Sequence, residues 1–128
     1  EAALATSTLT TQNVLKQCNV TALCTTDSPL SDLRYHQLIA ESDFDVEVLP
    51  TFRADDLFAF GSPTAFRNMI DKLSTITALH IASINEFLNA ISKRIEAFHD
   101  SGCRLSDLGL TQVNFVPCSH KAAQQLFE

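Results

Sequence analysis

Polar side chains with chemical potential gather where three short apolar runs stop. Thr25, Thr26 and Asp27 close the run 19–26, Arg53 and Asp55 follow the run 45–52, and Ser106 and Asp107 lie within the strand-like stretch 103–110. In parallel α/β architectures a ligand meets the carboxyl ends of the strands, where emerging side chains converge with loop residues and helix N-termini. Two carboxylates and a guanidinium from neighbouring strands would make a pocket for a polar anion, since a guanidinium fork matches a planar carboxylate bidentately. Plainer roles compete at each position. Asp27 stands two residues before Pro29 and could serve only the turn, Arg53 could pair with Asp55 or Asp56, and Asp107 before Leu108-Gly109 could be a turn residue.

Other chemistries find less support. His36, His80, His99 and His120 are scattered, with no H-x-H or H-E-x-x-H pair, so no metal site is expected within the segment. His36 and His99 fall on predicted helices and read as solvated or core-edge residues. No Ser-His-Asp or Cys-His arrangement and no phosphate-cradling glycine loop is apparent. Cys18, Cys24, Cys103 and Cys118 lack C-x-x-C spacing and read as reduced, mostly buried thiols. The sequon Asn19-Val20-Thr21 opens a predicted strand and reads as accidental.

The elements that must position these residues alternate. A helix over 7–17 precedes a buried strand over 19–26. Ser28 as N-cap and Pro29 at the first helical position predict a helix through about residue 41. A second strand spans 45–52 despite Pro50, and Ser62-Pro63 opens a helix carrying Phe66, Met69, Ile70, Leu73 and Ile76. Ser83-Ile84-Asn85-Glu86 is a capping box ahead of an apolar face that Gly102 ends. A third strand within 103–110, a short one over 112–116 and a helix over 119–127 complete the pattern. Such alternation predicts an α/β class with a short parallel sheet, right-handed crossovers and helix in excess.

At 128 residues and 45% hydrophobic content, one modest core is expected, in a single segment over 1–128. Nine basic against fifteen acidic residues, a formal charge of −6, leave no footprint for nucleic acid or an anionic membrane. No apolar run nears the roughly 20 residues of a membrane span, so a cytoplasmic protein is expected.

Several stretches together resemble the uronate (glucuronate) isomerase family. Thr25-Thr26-Asp27-Ser28-Pro29 with Asp32-Leu33, Tyr35-His36 and Ile39-Ala40 is similar to T-T-D-D-P…D-x-L-x-Y-H-x-x-I-A. Val48-Leu49-Pro50-Thr51-Phe52-Arg53-Ala54-Asp55 resembles V-x-P-[ST]-[FW]-R-P-D, and Ala90-Ile91-Ser92-Lys93-Arg94 with Phe98 resembles A-L-x-x-R…F. Residues 102–110 resemble G-C-R-x-S-D-H-G-[IL]. Ser28, Ala54 and Leu108 depart from the pattern; Leu108 stands where the family has a histidine and removes a polar group there.

The resemblance implies a (β/α)₈ TIM-like barrel of the amidohydrolase superfamily, of which this chain would supply the middle strands. Such a barrel needs about 250 residues. The implied reaction interconverts D-glucuronate with D-fructuronate and D-galacturonate with D-tagaturonate. Asp27 and Asp107 are then the catalytic candidates, and Arg53 and Thr26 the substrate-binding ones. A divalent metal, expected to be zinc, would belong to the complete enzyme, held by an early H-x-H strand and a late Asp outside this segment. The isolated chain is therefore expected to be inactive and to self-associate through open barrel edges. The alternative reading is a non-catalytic sugar-acid binding or scaffolding module of the same fold.

Overall fold

The computed structural model describes residues 9–109 and 115–127. In chain order the elements are α1 (Thr11–Gln17), β1 (Ala22–Cys24), α2 (Arg34–Ala40), β2 (Glu47–Leu49), β3 (Phe52–Arg53), a 3-10 helix (Ala54–Phe58), α3 (Pro63–Thr77), α4 (Ile84–Asp100), β4 (Ser106–Asp107) and α5 (His120–Phe127). The class is α/β with helix in excess. β1 pairs with β2 and β3 with β4, all parallel, and an isolated parallel bridge between Asp27 and Phe52 joins the two pairs. Buried Pro50, which has no N–H to give a ladder, divides the strand predicted over 45–52 into β2 and β3. The described strands form these pairs and no closed barrel.

The core lies between this sheet and the helices. Phe98 and Leu73 are fully buried, with Phe52, Leu57, Met69, Ile81, Phe87 and Ala90 around them. Phe52 of β3 meets Phe98 of α4 edge to face, ring centroids 5.1 Å apart, a favoured aromatic geometry. Both long helices start where their caps predict. Ser62 Oγ accepts from the Ala65 N–H at 3.4 Å, and Ser83 Oγ accepts from the Glu86 N–H at 3.3 Å. Glu86 reaches back to the Ala82 N–H at 2.9 Å, and that bond, with the Ser83 hydroxyl, holds its carboxyl below the usual range. Gly102, at φ 89°, ends α4 in the left-handed conformation, where a Cβ would also crowd Leu49 at 2.7 Å.

The helix expected to open at Ser28-Pro29 does not form there. Ser28 Oγ instead accepts from the Leu30 N–H at 3.1 Å and closes a tight turn, and helix α2 begins only at Arg34. Tertiary contacts decide this. Pro29 is fully buried, Leu33 is buried in the left-handed region at φ 58°, and Arg94 of α4 claims the turn's carbonyls. Its Nε donates to Pro29 O at 2.8 Å and its Nη2 to Ser31 O at 2.7 Å, while the guanidinium lies over the Phe98 ring. A left-handed leucine costs about 1–2 kcal/mol, which two charge-assisted bonds and the buried side chains offset.

Two further expectations differ. Of the four thiols only Cys103 is buried; Cys18, Cys24 and Cys118 are exposed. The strand expected over 112–116 lies largely outside the described residues, and Phe115 and Val116 have no regular structure.

Arg94→Met should lower stability by about 3 kcal/mol, because two buried carbonyls lose charged donors while the apolar stem is kept. Arg94→Lys should recover only part, since an ammonium cannot reproduce the fork. Urea midpoints of the three chains check both, and equal midpoints for wild type and Arg94→Met would refute the clamp.

Candidate functional site

Strand register decides which candidates meet. Asp27 N–H donates to Thr51 O at 3.0 Å and the Arg53 N–H donates to Asp27 O at 3.0 Å, while Phe52 N–H donates to Leu105 O at 3.1 Å on the other side. Residues 52 and 53 therefore run between the end of β1 and β4, with Arg53 directly opposite Asp107. The three predicted strand ends are neighbours along one rim.

Side-chain parity then divides them. Paired residues of a parallel ladder present the same face, and successive residues opposite faces. Asp27 pairs with Phe52, whose ring faces α4, so the Asp27 side chain belongs to the helix-covered face. Arg53 and Asp107 belong to the other face, and Thr26, one residue before Asp27 and exposed, shares it.

On the Arg53 face the guanidinium is flanked by carboxylates. Its Nε donates to Asp55 Oδ2, and its Nη1 lies 3.5 Å from Asp107 Oδ2. Asp55 Oδ1 also accepts from the Gly109 N–H at 2.7 Å, tying the chain after β4 to the chain after β3. The Gly109 amide and then Arg53 hold the Asp55 carboxyl below its ordinary range, and Asp55 chiefly raises Arg53. Gly109 packs directly against the Arg53 guanidinium, so a Cβ there would meet the end of that side chain and push it aside. The Leu108 N–H donates to Asp107 Oδ1 at 2.7 Å, and the Leu108 side chain is half exposed.

On the helix-covered face Asp27 has two partners. Thr25 Oγ1 donates to Asp27 Oδ2 at 2.6 Å, and His36 Nε2 lies 2.8 Å from Thr25 Oγ1 and 3.5 Å from Asp27 Oδ2. His36 was not among the sequence-derived site residues; nothing in its spacing signals a contact eleven residues back. The i, i+2 relation of Thr25 and Asp27 did carry a signal, as did a glycine two residues after Asp107. Among the described residues no group of three His, Cys, Asp or Glu side chains could hold a metal ion, and no helix is long and apolar enough to cross a membrane.

The described residues thus form a parallel α/β segment whose strand-end rim carries a guanidinium between two carboxylates, with a threonine beside it. Comparison with known proteins gives the family. The family model described as glucuronate isomerase matches residues 1–128, and the chain belongs to that family. It is 42% identical over 120 residues to a uronate isomerase of Staphylococcus haemolyticus, covering 93% of this chain and 25% of that protein. Against a uronate isomerase of Solibacter usitatus it is 42% identical over 124 residues, covering 96% and 27%. The solved glucuronate isomerase of Caulobacter crescentus superposes with a TM-score of 0.84 at 27% identity, over 98% of this chain and 26% of that one. The solved uronate isomerase of Thermotoga maritima superposes at 0.81 and 29% identity, over 91% and 26%. The chain thus spans about a quarter of the length of the relatives it matches.

Two tests follow from the Arg53 cluster. A carboxyl whose folded value is depressed stabilises above its unfolded value, about 3.9 for Asp, and loses that contribution as pH falls through the lower folded value. Acidification below pH 4 should therefore release the Gly109 amide from Asp55, read as a shift of its proton resonance. Asp55→Asn should abolish that titration, whereas a Gly109 shift indifferent to acid in wild type would refute the link. Gly109→Ala should leave the unfolding free energy from urea titration within about 1 kcal/mol of wild type yet displace the Arg53 side chain, since the colliding atoms are the far end of a flexible group. An unmoved Arg53 in NMR or crystallography would contradict this.

Proposed function

We propose that this chain forms part of the substrate rim of an aldose–ketose isomerase acting on hexuronates, with Arg53 as the anchor for the sugar-acid carboxylate. The observation that carries the reading is Arg53 itself. Its Nε is held by Asp55 and its Nη1 lies 3.5 Å from Asp107 Oδ2, so a guanidinium is fixed at the strand-end rim where a planar carboxylate would bind it in competition with Asp107. Family membership over 1–128 supports hexuronates as the class of anion. We further propose that the parallel strands are the middle strands of a (β/α)₈ barrel of the amidohydrolase superfamily, working in the cytoplasm, and that the sheet edges beyond β1 and β4 pair within the complete barrel or, in the isolated chain, with each other.

The chemistry asked of such a site is a redox-neutral proton transfer. A base removes the proton on C2, the electron pair forms a C1=C2 enediol as the C1 oxygen gains a proton, and loss of the C2 hydroxyl proton with reprotonation at C1 yields the ketose. No external oxidant or reductant is needed. Asp107, exposed on the Arg53 face, is the carboxylate of this chain suited to hold or move a proton there, and Thr26 offers a hydroxyl to a sugar oxygen. The divalent metal that the resemblance implies, expected to be zinc, would be held chiefly by residues outside this segment; among the described residues no group of three His, Cys, Asp or Glu side chains could hold it. One observation favours a second reading, a non-catalytic sugar-acid binding or scaffolding module. Leu108 presents a half-exposed apolar side chain beside Asp107, where the family pattern has histidine.

The complete protein that carries this segment should convert glucuronate to fructuronate, and the 128-residue chain alone should not. Arg53→Met should raise KM at least about 30-fold, the loss of a charge-assisted bidentate contact. Asp107→Asn should lower kcat about 100-fold or more. Wild-type KM in Arg53→Met would remove the anchor, and uronate binding without turnover in the complete protein would favour the second reading.

A further inference from the structure

We infer that Thr25 and His36 are positioning residues that lock the Asp27 carboxylate against the helix layer and thereby hold Thr26 on the face of Arg53 and Asp107; the effect on turnover rests on the isomerase reading, the lock itself does not. A threonine hydroxyl has one proton to give. Around Thr25 Oγ1 stand Asp27 Oδ2 at 2.6 Å, Leu49 O at 3.3 Å and His36 Nε2 at 2.8 Å. The first two are oxygens that only accept, and the carboxylate, being nearer, takes the proton. The imidazole nitrogen must then be the donor. His36 is thereby fixed as the tautomer protonated at Nε2, with that hydrogen aimed at Thr25 Oγ1 and with Asp27 Oδ2 3.5 Å away.

Burial supports a fixed role over a reacting one. The His36 and Asp27 side chains are only 12% and 16% exposed, shielded from the open face on which Arg53 lies. Asp27 is also pinned through its backbone on the β3 side, by the bonds with Thr51 O and the Arg53 N–H. Arg94 holds the carbonyls of Pro29 and Ser31 just beyond it. With its carboxylate tied to Thr25 and His36, Asp27 cannot rotate to the opposite face, and alternation sends the Thr26 hydroxyl there instead. His36 lies in the first turn of α2, so the same contact ties that helix to the end of β1.

Nitrogen-15 NMR of histidine in the 128-residue chain reads the lock directly. His36 should be protonated at Nε2, and its Nε2 resonance should keep its position in Thr25→Ser and be displaced in Thr25→Val. A His36 protonated only at Nδ1, or one insensitive to Thr25→Val, overturns the inference. In the complete isomerase Thr25→Val and Asp27→Ala should each raise KM about tenfold with the smaller effect on kcat, as loss of ground-state positioning does. Thr25→Ser and Asp27→Asn should each restore most of that loss, the latter because an amide oxygen still accepts from Thr25 but cannot carry a proton in catalysis. The pH profile of kcat should keep both limbs in Asp27→Asn. A fall in kcat of about 100-fold with a lost limb would make Asp27 a proton-transfer group and overturn the positioning role. A complete protein without isomerase activity would defeat the functional reading alone, because the tautomer still decides whether the lock exists.

Discussion

A strand of two residues, Phe52–Arg53, is the constraint on which the rest of the structure depends. Its N–H groups point to opposite neighbours, Phe52 to β4 and Arg53 to the end of β1, so among the described residues it joins the two parallel pairs. Its side chains point to opposite faces. Phe52 enters the core against Phe98, and Arg53 emerges on the uncovered face beside Asp107. Strand alternation thus converts one packing decision into one chemical decision. A slip of one residue would bury a guanidinium against aromatic rings and expose a phenylalanine, a cost of several kcal/mol for an unpaired buried charge.

The helix layer enforces that register from behind. α4 supplies Phe98 to fix Phe52 and Arg94 to fix the turn after Asp27, so one helix face sets both a strand and the loop of its neighbour. Burial pulls the Arg94 guanidinium downward from its ordinary range, but two carbonyl acceptors and an aromatic face satisfy it and an arginine stays charged. Lys93, next in sequence, donates to Thr77 O at 2.6 Å and closes the last turn of α3. Consecutive basic residues on α4 therefore serve different neighbours, and neither is left for ligand binding.

Much of this was legible before any coordinates. Ser62-Pro63 and Ser83 with Glu86 marked helix starts, because a cap depends on local chemistry that the sequence displays. Polar residues ending apolar runs marked the rim, because ligands meet parallel strands at their carboxyl ends. Ser28-Pro29 carries the same local signal as Ser62-Pro63 and gives a turn, since the deciding partner, Arg94, lies more than sixty residues away. The division between Asp27 and Arg53 was half legible. Counting by two from Leu23 puts Thr25 and Asp27 on one face, but only the cross-strand register says which face Arg53 shares. His36 was illegible as a site residue, being placed by the return of α2 over β2, the strand beside β1.

The faces left uncovered show how far these residues go toward a working site. The helix-covered side of the sheet carries the aromatic packing and the Thr25, Asp27 and His36 contacts, whereas Thr26, Arg53 and Asp107 stand on a side that nothing in the described residues roofs. An exposed guanidinium in contact with water binds a carboxylate weakly, because solvent screens the charge. The same pair becomes strong when surrounding structure excludes water and lowers the local dielectric. In a chain that spans about a quarter of its relatives' length, Arg53 is held in place by Asp55 and the turn at Gly109, while enclosure of the site has to come from structure beyond these strands. On the proposed reading, selectivity for a sugar acid over any other small anion depends on that enclosure, with Arg53 as its fixed point.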